Sequence, residues 1–554
     1  MATATAVPST PVIKLDGSDL DPAVVAALES ALVVDRLSMP DMFTIVFRDK
    51  DRDILSKAGL EIAKAVEISA SSQSDDAEAV LIKGEITSVE ADYDTMGARA
   101  IVRGYDKSHR LTAGRKTKTY ENVKLSDVAK QVASDAGLSA DADDTEGTHK
   151  HVFQFNQSDL DFLYALAIRA GFDCRVDGDT LLFKKPAESA DAPDEGDPES
   201  AGGTTLVWGV NLVEFRARMS AVAQVEKVEV RGWDPTAKET VIGSGDPMAT
   251  NAELGVTPID LAKKVKGKTL VVVDHPVSTQ ADADVLAGAR ASQVGSAAFE
   301  ATAVAIGDPK LKAGTPVSIS GVDPALSGKW VISGSRHEFV NGAYHTALEF
   351  TGRQDRSILG LVSQGFAAKE RYYGVVVGIV SDIQDPDEQG RIKIKFPWLA
   401  DDAVSFWGRL MAPGASKEAG VTWVPSVNDE VLVAFEHGDM DHPIILGGLW
   451  NGKDVIPFNY DEDIDNGAVT YCGFTSRKGH KISFWEGKKD SAIQLLTANG
   501  EVNVVFDDKN KKVLIESTDK VIVDAKGDVE IKGVGIKIEA SGELTLKGST
   551  VKIN

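Results

Sequence analysis

Two histidines and a group of carboxylates are the side chains best suited to hold a metal or to transfer protons. His149 and His151 are two residues apart, so a strand would place both imidazoles on one face. Metal sites need further ligands, however, and no third ligand follows at a fixed spacing, which favours an ordinary surface strand. Asp439, Asp441 and His442 lie in a predicted turn that lacks the calcium-loop pattern.

A second acidic group, Asp385, Asp387 and Glu388, lies in a Pro- and Gly-containing turn, where carboxylates are favoured for local hydrogen bonds. The nucleophile elbow, phosphate loop, zinc-protease and dinucleotide fingerprints are all missing from the sequence. Cys174 and Cys472 are far apart, which argues against a disulfide framework or a cysteine-based zinc site. We therefore expect no catalytic residues, no metal and no cofactor.

Charge and length restrict the function classes further. The chain has 554 residues, 43% of them hydrophobic, so it should hold three or four domains with real cores. A net charge of -24 disfavours nucleic acid and anionic membranes as partners. The sequence has neither an apolar run of eighteen residues nor a signal peptide, which predicts synthesis in the cytoplasm. Partners should be proteins or further copies of the chain.

The elements that would position these residues are mainly strands. Alternating β-branched residues predict a β-barrel or sandwich over residues 1–104, with strands at 43–47, 80–89 and 98–103. Residues 105–185 read as an α/β segment with helices near 125–132 and at 159–170, the second ending at Gly171. The acidic, Pro- and Gly-rich residues 186–204 predict an exposed, mobile loop. Residues 205–365 predict a second barrel, and the size of 372–455 suits an OB-type barrel.

The last forty residues carry an internal repeat. Val521–Gly533 recurs fifteen residues later as Ile536–Gly548, with a small or apolar residue at every second position. A strand pattern of this kind needs cover for its apolar face, and the chain offers no matching strands. We expect other copies of the tail to supply the cover, giving a self-assembled β needle; an ordinary sheet edge or small sandwich is the alternative. The expected core residues are Val521, Val523, Val529, Ile531, Ile536, Ile538, Leu544 and Leu546.

Several motifs resemble one known family. The segments 385–391, 407–409, 425–435 and 436–443 are similar to the OB domain of VgrG proteins and contractile-phage tail spikes. The segment 152–163 resembles the hub half of the same family. The positions that carry the OB resemblance are Gly390, Arg391, Trp407, Gly438, Asp439, Asp441 and Pro443.

This resemblance implies a mainly β, homotrimeric spike with a smaller α/β part. Two hub β-barrels per subunit would form a pseudo-sixfold ring on a hexameric tail tube, followed by the OB-fold collar, a linker at 456–476 and an intertwined triple-stranded β-helix at 477–554. The linker is too short for the lysozyme domain of some phage relatives, and the chain stops six residues after Gly548. The pattern is most like the spike of an extracellular contractile injection system.

The resemblance also implies partners: the inner tube protein, baseplate proteins, effector cargo and a PAAR-type tip protein. The tip protein would dock on Val551, Ile553 and Asn554. Such a spike would belong to a phage tail-like particle that is released or acts at the target cell surface. Alternatives are a trimeric adhesin or fibre, a type VI secretion spike carrying effectors, and a cell-wall hydrolase.

Overall fold

A computed structural model describes residues 10–37, 39–72, 78–95, 97–194, 204–352, 371–400, 404–487 and 491–553. The chain divides into two compact units, residues 1–449 and 450–554. Both are built mainly from strands, which confirms the predicted mainly β class.

The first segment is a meander of strands with two short helices. Its apolar residues alternate with polar ones, so each strand turns one side to a core that contains Val33, Phe43 and Ile45. Its elements are β1 Val12–Leu15, β2 Ser18–Asp19, α1 Pro22–Val25, β3 Leu28–Arg36, β4 Met42–Arg48, α2 Ile54–Lys57, β5 Ala65–Ser71, β6 Glu78–Asp94 and β7 Gly97–Asp106.

The α/β segment that follows has its own core. Both predicted helices are present, and Gly171 ends the second in the left-handed conformation, with φ of 73°. The elements are a 3-10 turn at Lys107–Thr112, β8 Lys116–Val123, α3 Leu125–Asp135, β9 Ser139–Ala142, β10 His149–Gln157, α4 Asp159–Ala170, β11 Asp173–Asp177 and β12 Thr180–Lys184.

The start of the predicted acidic loop is not an exposed loop. A 3-10 turn at Ser189–Asp191 packs near β-strands of the next segment, and Ser189 and Ala192 are buried. The small side chains of this stretch explain the result, because they let the backbone lie close to its neighbours although no large apolar residue anchors it. Residues 195–203 of the predicted loop lie outside the described residues.

The next segment combines strands with a long helix. The elements are β13 Thr205–Val207, β14 Leu212–Met219, β15 Lys227–Asp234, β16 Glu239–Gly245, β17 Ala252–Glu253, α5 Pro258–Lys264, β18 Thr269–Val272, α6 Gln280–Ser296, β19 Phe299–Ile306, β20 Pro316–Ser320, β21 Gly328–Val331, β22 Gly334–Val340 and β23 Ala343–Phe350.

The two predicted barrel segments are not separate sheets. Among the described residues, one eleven-stranded sheet runs in the order β14-β19-β23-β22-β3-β4-β7-β6-β5-β1-β2. The antiparallel pair β3–β22 joins the two segments, and in it Ala31 lies opposite Phe339 and Val33 opposite His337. Both strands alternate buried and more exposed residues in the same phase, so pairing them buries Ala31, Val33 and Phe339 in one core.

A small five-stranded sheet, in the order β25-β24-β29-β30-β26, forms the collar. It encloses an apolar core that includes Val380, Ile394, Phe396 and Val433. The collar elements are β24 Val375–Asp382, β25 Lys393–Lys395, β26 Arg409–Leu410, β27 Ala415–Ser416, β28 Ala419–Gly420, β29 Glu430–Phe435, a 3-10 turn at Glu436–Gly438 and β30 Pro443–Gly448.

The second unit contains a small hairpin and a five-stranded antiparallel meander that starts before the predicted needle boundary at 477. From 518 to 553 no residue lies in a helix or strand within this single chain. The elements are β31 Ile464–Asp465, β32 Ala468–Val469, β33 Tyr471–Thr475, β34 Lys481–Glu486, β35 Ser491–Leu496, β36 Val502–Asp507 and β37 Lys512–Ser517.

Candidate functional site: the collar junction and the apolar surfaces of the second unit

The turn at 385–391 is organised by one carboxylate. Both oxygens of Asp385 accept from the Arg391 guanidinium, at 3.0 Å from Nε and 2.6 Å from Nη2. The same carboxylate accepts from the backbone N–H groups of Asp387, Gln389 and Arg391. These bonds, first among them those from Arg391, hold the pKa of Asp385 well below its usual range. Gly390 has a φ of 72°, which suits glycine. The turn motif is therefore structural.

The second motif, at 438–443, shapes the turn between β29 and β30. The backbone N–H of Asp441 donates to Asp439 Oδ1 at 3.0 Å, and His442 Nδ1 lies 3.8 Å from Asp439 Oδ2. Gly438 has a φ of 73°, and a Cβ there would press on Arg371 and Tyr372. Pro443 starts β30 and is buried. The predicted acid-base residues of this segment thus fold the turn.

His151 joins this turn to the α/β segment. Its Nδ1 lies 3.1 Å from Asp441 Oδ1, and both side chains are buried. The imidazole packs near Phe153 and Phe406, and its buried Nε2 has no hydrogen-bond partner among the residues that the structure describes. The prediction of a surface strand is therefore wrong for His151, because pairing with Asp441 from a different segment covers it.

Further contacts extend the same junction. Lys393 Nζ lies 2.8 Å from Glu121 Oε1 and 5.5 Å from the Trp407 ring centre. Thr119 Oγ1 donates to the Val404 carbonyl oxygen at 3.3 Å. Phe153 is part of the collar core although it belongs to β10. The two-stranded antiparallel sheet of β8 and β10 therefore packs against the collar.

His149 takes a different role from His151. Arg169 Nη2 donates to His149 Nδ1 at 2.9 Å, and Asp282 Oδ1 lies 3.9 Å away. Burial, reinforced by the Arg169 charge, lowers the pKa of this imidazole. Over the described ranges no group of three or more His, Cys, Asp or Glu side chains is arranged to hold a metal ion. The histidines thus act as packing and hydrogen-bonding groups.

In the second unit, one face of the meander is apolar and exposed. Strand register aligns its side chains in two cross-strand rows, which a stable single chain rarely leaves uncovered. One row is Cys472, Phe484, Ile493, Phe506 and Val513, and the other is Phe474, Ile482, Leu495, Val504 and Ile515. The opposite, more polar face carries residues such as Ser483, Gln494 and Asn503 beside apolar ones such as Trp485 and Val505. This apolar meander face was missed by the sequence reasoning, although the alternation of these residues signals it.

The tail beyond the meander has the same character. The eight predicted core residues, Val521 to Leu546, are each between 55% and 76% exposed in the single chain. Val551 and Ile553, the predicted tip-docking residues, are 52% and 87% exposed, and Asn554 lies outside the described residues. Where helices are described, none combines the length and apolar character needed to cross a membrane.

Comparison with known proteins identifies both halves of the first unit. Residues 10–341, more than half of the chain, match the family described as Alg8 N-terminal domain. Residues 376–450 match the type VI secretion system/phage-baseplate injector OB domain. The fold resembles that of a chain in the solved structure of the half-lidded Francisella PdpA-VgrG complex, with a TM-score of 0.51 and 10% identity over 92% of this chain and 88% of that one.

Two curated relatives also carry the name VgrG. The type VI secretion system spike protein VgrG1a of Pseudomonas aeruginosa is 28% identical over 203 residues, 33% of this chain. The actin cross-linking toxin VgrG1 of Vibrio cholerae is 23% identical over 434 residues, 70% of this chain. The alignments span only 32% and 37% of those two proteins. The chain belongs to the family with the Alg8 N-terminal domain, and its predicted resemblance to VgrG and contractile-tail spike proteins is confirmed.

Proposed function

We propose that this protein is the structural hub and needle of a contractile injection machine, joining an inner tube and baseplate to a membrane-puncturing tip. The observation that carries the proposal is the exposed apolar surface of the second unit, on both the meander and the tail. A surface of this size needs cover in water. Family membership and the OB collar support the same function.

Three copies of the chain would provide the cover. The tail has an apolar side and pairs with none of the described strands of its own chain. Its polar side carries Lys and Glu residues such as Lys532 and Glu530, which pair at 2.7 Å. Winding three tails around one axis buries the apolar side and satisfies the backbone groups between chains. The product is an intertwined triple-stranded β-helix in a homotrimer.

The first unit would then attach the spike to the inner tube and the baseplate. The eleven-stranded sheet would form the hub that faces the hexameric tube, and the two-stranded sheet of β8 and β10 supports the collar. Such a role requires rigidity rather than turnover, and the candidate carboxylates are committed to hydrogen bonds within turns. The protein is proposed to act without catalysis, which a cell-wall zymogram tests directly.

The proposed partners are the inner tube protein, baseplate proteins and a PAAR-type tip protein that docks near Val551 and Ile553, with effector cargo as a further candidate. The exposure of both residues supports tip docking. The protein would be made in the cytoplasm and assembled into a phage tail-like particle. Electron microscopy of the native assembly distinguishes this arrangement from an adhesin or fibre.

Native mass measurement in dilute buffer tests the proposal. The wild-type protein should be a trimer, and Ile531→Asp or Leu546→Asp should abolish it, because like charges would meet around a dry axis. Thr545→Asp is the matched control, since Thr545 precedes Leu546 and alternation places it on the polar side. A wild-type monomer, or normal trimers from both apolar-site variants, would refute the needle.

A further inference from the structure

The three-stranded sheet of β15, β16 and β18 has one covered and one open face. Helix α6 packs on the first face, where Val230, Val241 and Ala283 share a core. On the other face, Ile242 and Val271 are 44% and 45% exposed, close to the ion pair of Glu229 and Arg231. Trp233 and Val273 are exposed beside them. The open face therefore presents partly exposed apolar side chains among polar ones.

The same sheet also has an open edge. The strand order is β16-β15-β18, and β18 pairs with β15 in parallel register from Thr269 to Val272. No strand in the parts of the chain that the structure describes pairs along the other side of β18. Its outward N–H and C=O groups are therefore available to another strand.

Four exposed lysines lie directly before this edge, in a chain that carries a net charge of -24. The carboxylate of the nearby Asp260 is occupied by Thr257, accepting from its N–H at 3.1 Å and from its hydroxyl at 2.8 Å. Within the described ranges none of the four forms an ion pair within 4.0 Å. The four are Lys263, Lys264, Lys266 and Lys268.

We propose that this edge binds an extended acidic segment of another protein, which adds to the sheet as a strand beside β18. Carboxylates of the segment would lie against the lysines, and its alternate apolar side chains would pack near Val271 and Val273. Backbone hydrogen bonds would provide affinity and the charges would set the direction and the rate of association.

The open backbone edge of β18 distinguishes this partner from others that lysines attract. Nucleic acid and anionic lipid are also drawn to basic charge, but neither pairs with the N–H and C=O groups of a strand edge. Lysines on an edge can also serve only to repel unwanted strands. In that case the neighbouring face would not need its exposed apolar side chains. This inference concerns the hub and does not depend on the proposed needle.

Fluorescence anisotropy with the full-length protein tests the proposal. The probe is a labelled ten-residue peptide with three aspartates followed by alternating valine and threonine; control peptides carry lysines for the aspartates, or proline for a central valine. We expect Lys266→Glu/Lys268→Glu to weaken binding at least about tenfold, because two attractive pairs become repulsive. The matched double variant Lys417→Glu/Lys453→Glu, at exposed positions elsewhere, should bind like wild type.

Hydrogen exchange identifies the binding mode. Residues 269–273 should gain protection in the peptide complex, because an added strand covers the edge N–H groups. Val271→Ser/Val273→Ser should reduce affinity while leaving the charges unchanged. Equal binding of the proline peptide, or an unaltered affinity in the lysine variant, would overturn the proposal. Tighter binding of single-stranded DNA or anionic vesicles than of the peptide would also overturn it. So would dissociation of protein oligomers by the peptide, because this result would mean that a second copy of the chain occupies the edge.

Discussion

Three aspartates in or beside strands of the eleven-stranded sheet have raised pKa values, which makes the stability of this part of the protein depend on pH. Asp35 and Asp106 are buried, and burial raises the pKa of both, that of Asp106 to about 6. The pKa of Asp41 is raised by burial and by the charges of Asp35 and Asp106. Asp35 Oδ2 accepts from the Ala313 N–H at 2.9 Å, whereas Oδ1 is buried and has no hydrogen-bond partner within the described ranges.

Neutralising Asp35 should stabilise the hub at high pH. A raised folded-state pKa means that the stability from Asp35 is complete below its unfolded value of 3.8 and is lost as pH rises through the folded value. Asp35→Asn keeps an acceptor for Ala313 and removes the buried charge, so we expect a gain of about 1 to 3 kcal/mol at pH 8. Thermal unfolding from pH 4 to pH 8 measures it.

The control for that series is Asp51→Asn, because Asp51 is exposed. It should change stability little at any pH. A gain for Asp35→Asn that is equally large at pH 4 would show that charge burial is not its cause.

The sequence predicted the contacts of a residue only where its partners lie close to it along the chain. The local bonding of Asp385 within its turn was predicted and is confirmed, because all its partners lie within six residues. The pairing of His151 with Asp441 spans 290 residues and leaves no local signal. A buried histidine and a surface histidine look alike in a single sequence.

At the scale of elements, the collar junction should loosen when this pair is broken. His151→Ala removes the imidazole beside the buried Asp441 and opens space near Phe153 and Phe406. We expect faster hydrogen exchange in β10 and β30, because a buried carboxylate loses a partner. Lys150→Ala is the control, since its ion pair with Asp387 is exposed. Equal exchange in both variants would mean that the pair does not hold the collar.

Helix α6 depends on close contact with β16. A Cβ on Gly243 would meet the backbone of Ala283, whereas one on Gly255 would meet nothing within 4 Å. Gly243→Ala should therefore cost about 1 to 3 kcal/mol through overpacking, and Gly255→Ala should be nearly neutral. Chemical denaturation compares the two. Similar losses for both would indicate that α6 can shift away from the sheet.

The same contact explains why the sequence analysis missed α6. Its buried residues are small, at Ala283, Ala287, Ala291 and Gly295, so hydrophobic periodicity is weak. Helices α3 and α4 carry Leu and Val on one face and were predicted. The N-terminal cap of α6 was the available signal, because Thr279 accepts from the Asp282 N–H at 3.2 Å.

For the whole molecule, the fold class and the strands followed from alternation, but the joining of strands did not. The β3–β22 pair connects positions about three hundred residues apart, and alternation specifies a face without naming a partner. The apolar side of the tail was read from the sequence because the repeat itself marks it. The meander before it has no repeat, so its apolar face became visible only through strand register.

That meander leads to a prediction about the proposed trimer. Removal of residues 518–554 should weaken self-association without ending it. Unlike Ile531→Asp, it places no repelling charges between the chains, and two cross-strand rows of apolar side chains remain exposed. Sedimentation over a concentration series measures the association. Adding Ile493→Lys to the shortened chain should abolish it, since Ile493 lies in one of the rows.

The matched control is Gln494→Lys in the same shortened chain, because Gln494 lies on the more polar face and the change adds the same charge. It should leave association unchanged. A shortened chain that is monomeric at every concentration would assign the assembly to the tail alone. Equal effects of the two lysines would point to net charge rather than to the apolar face. Association that fails only with Ile493→Lys would show that assembly begins in the meander, before the repeat.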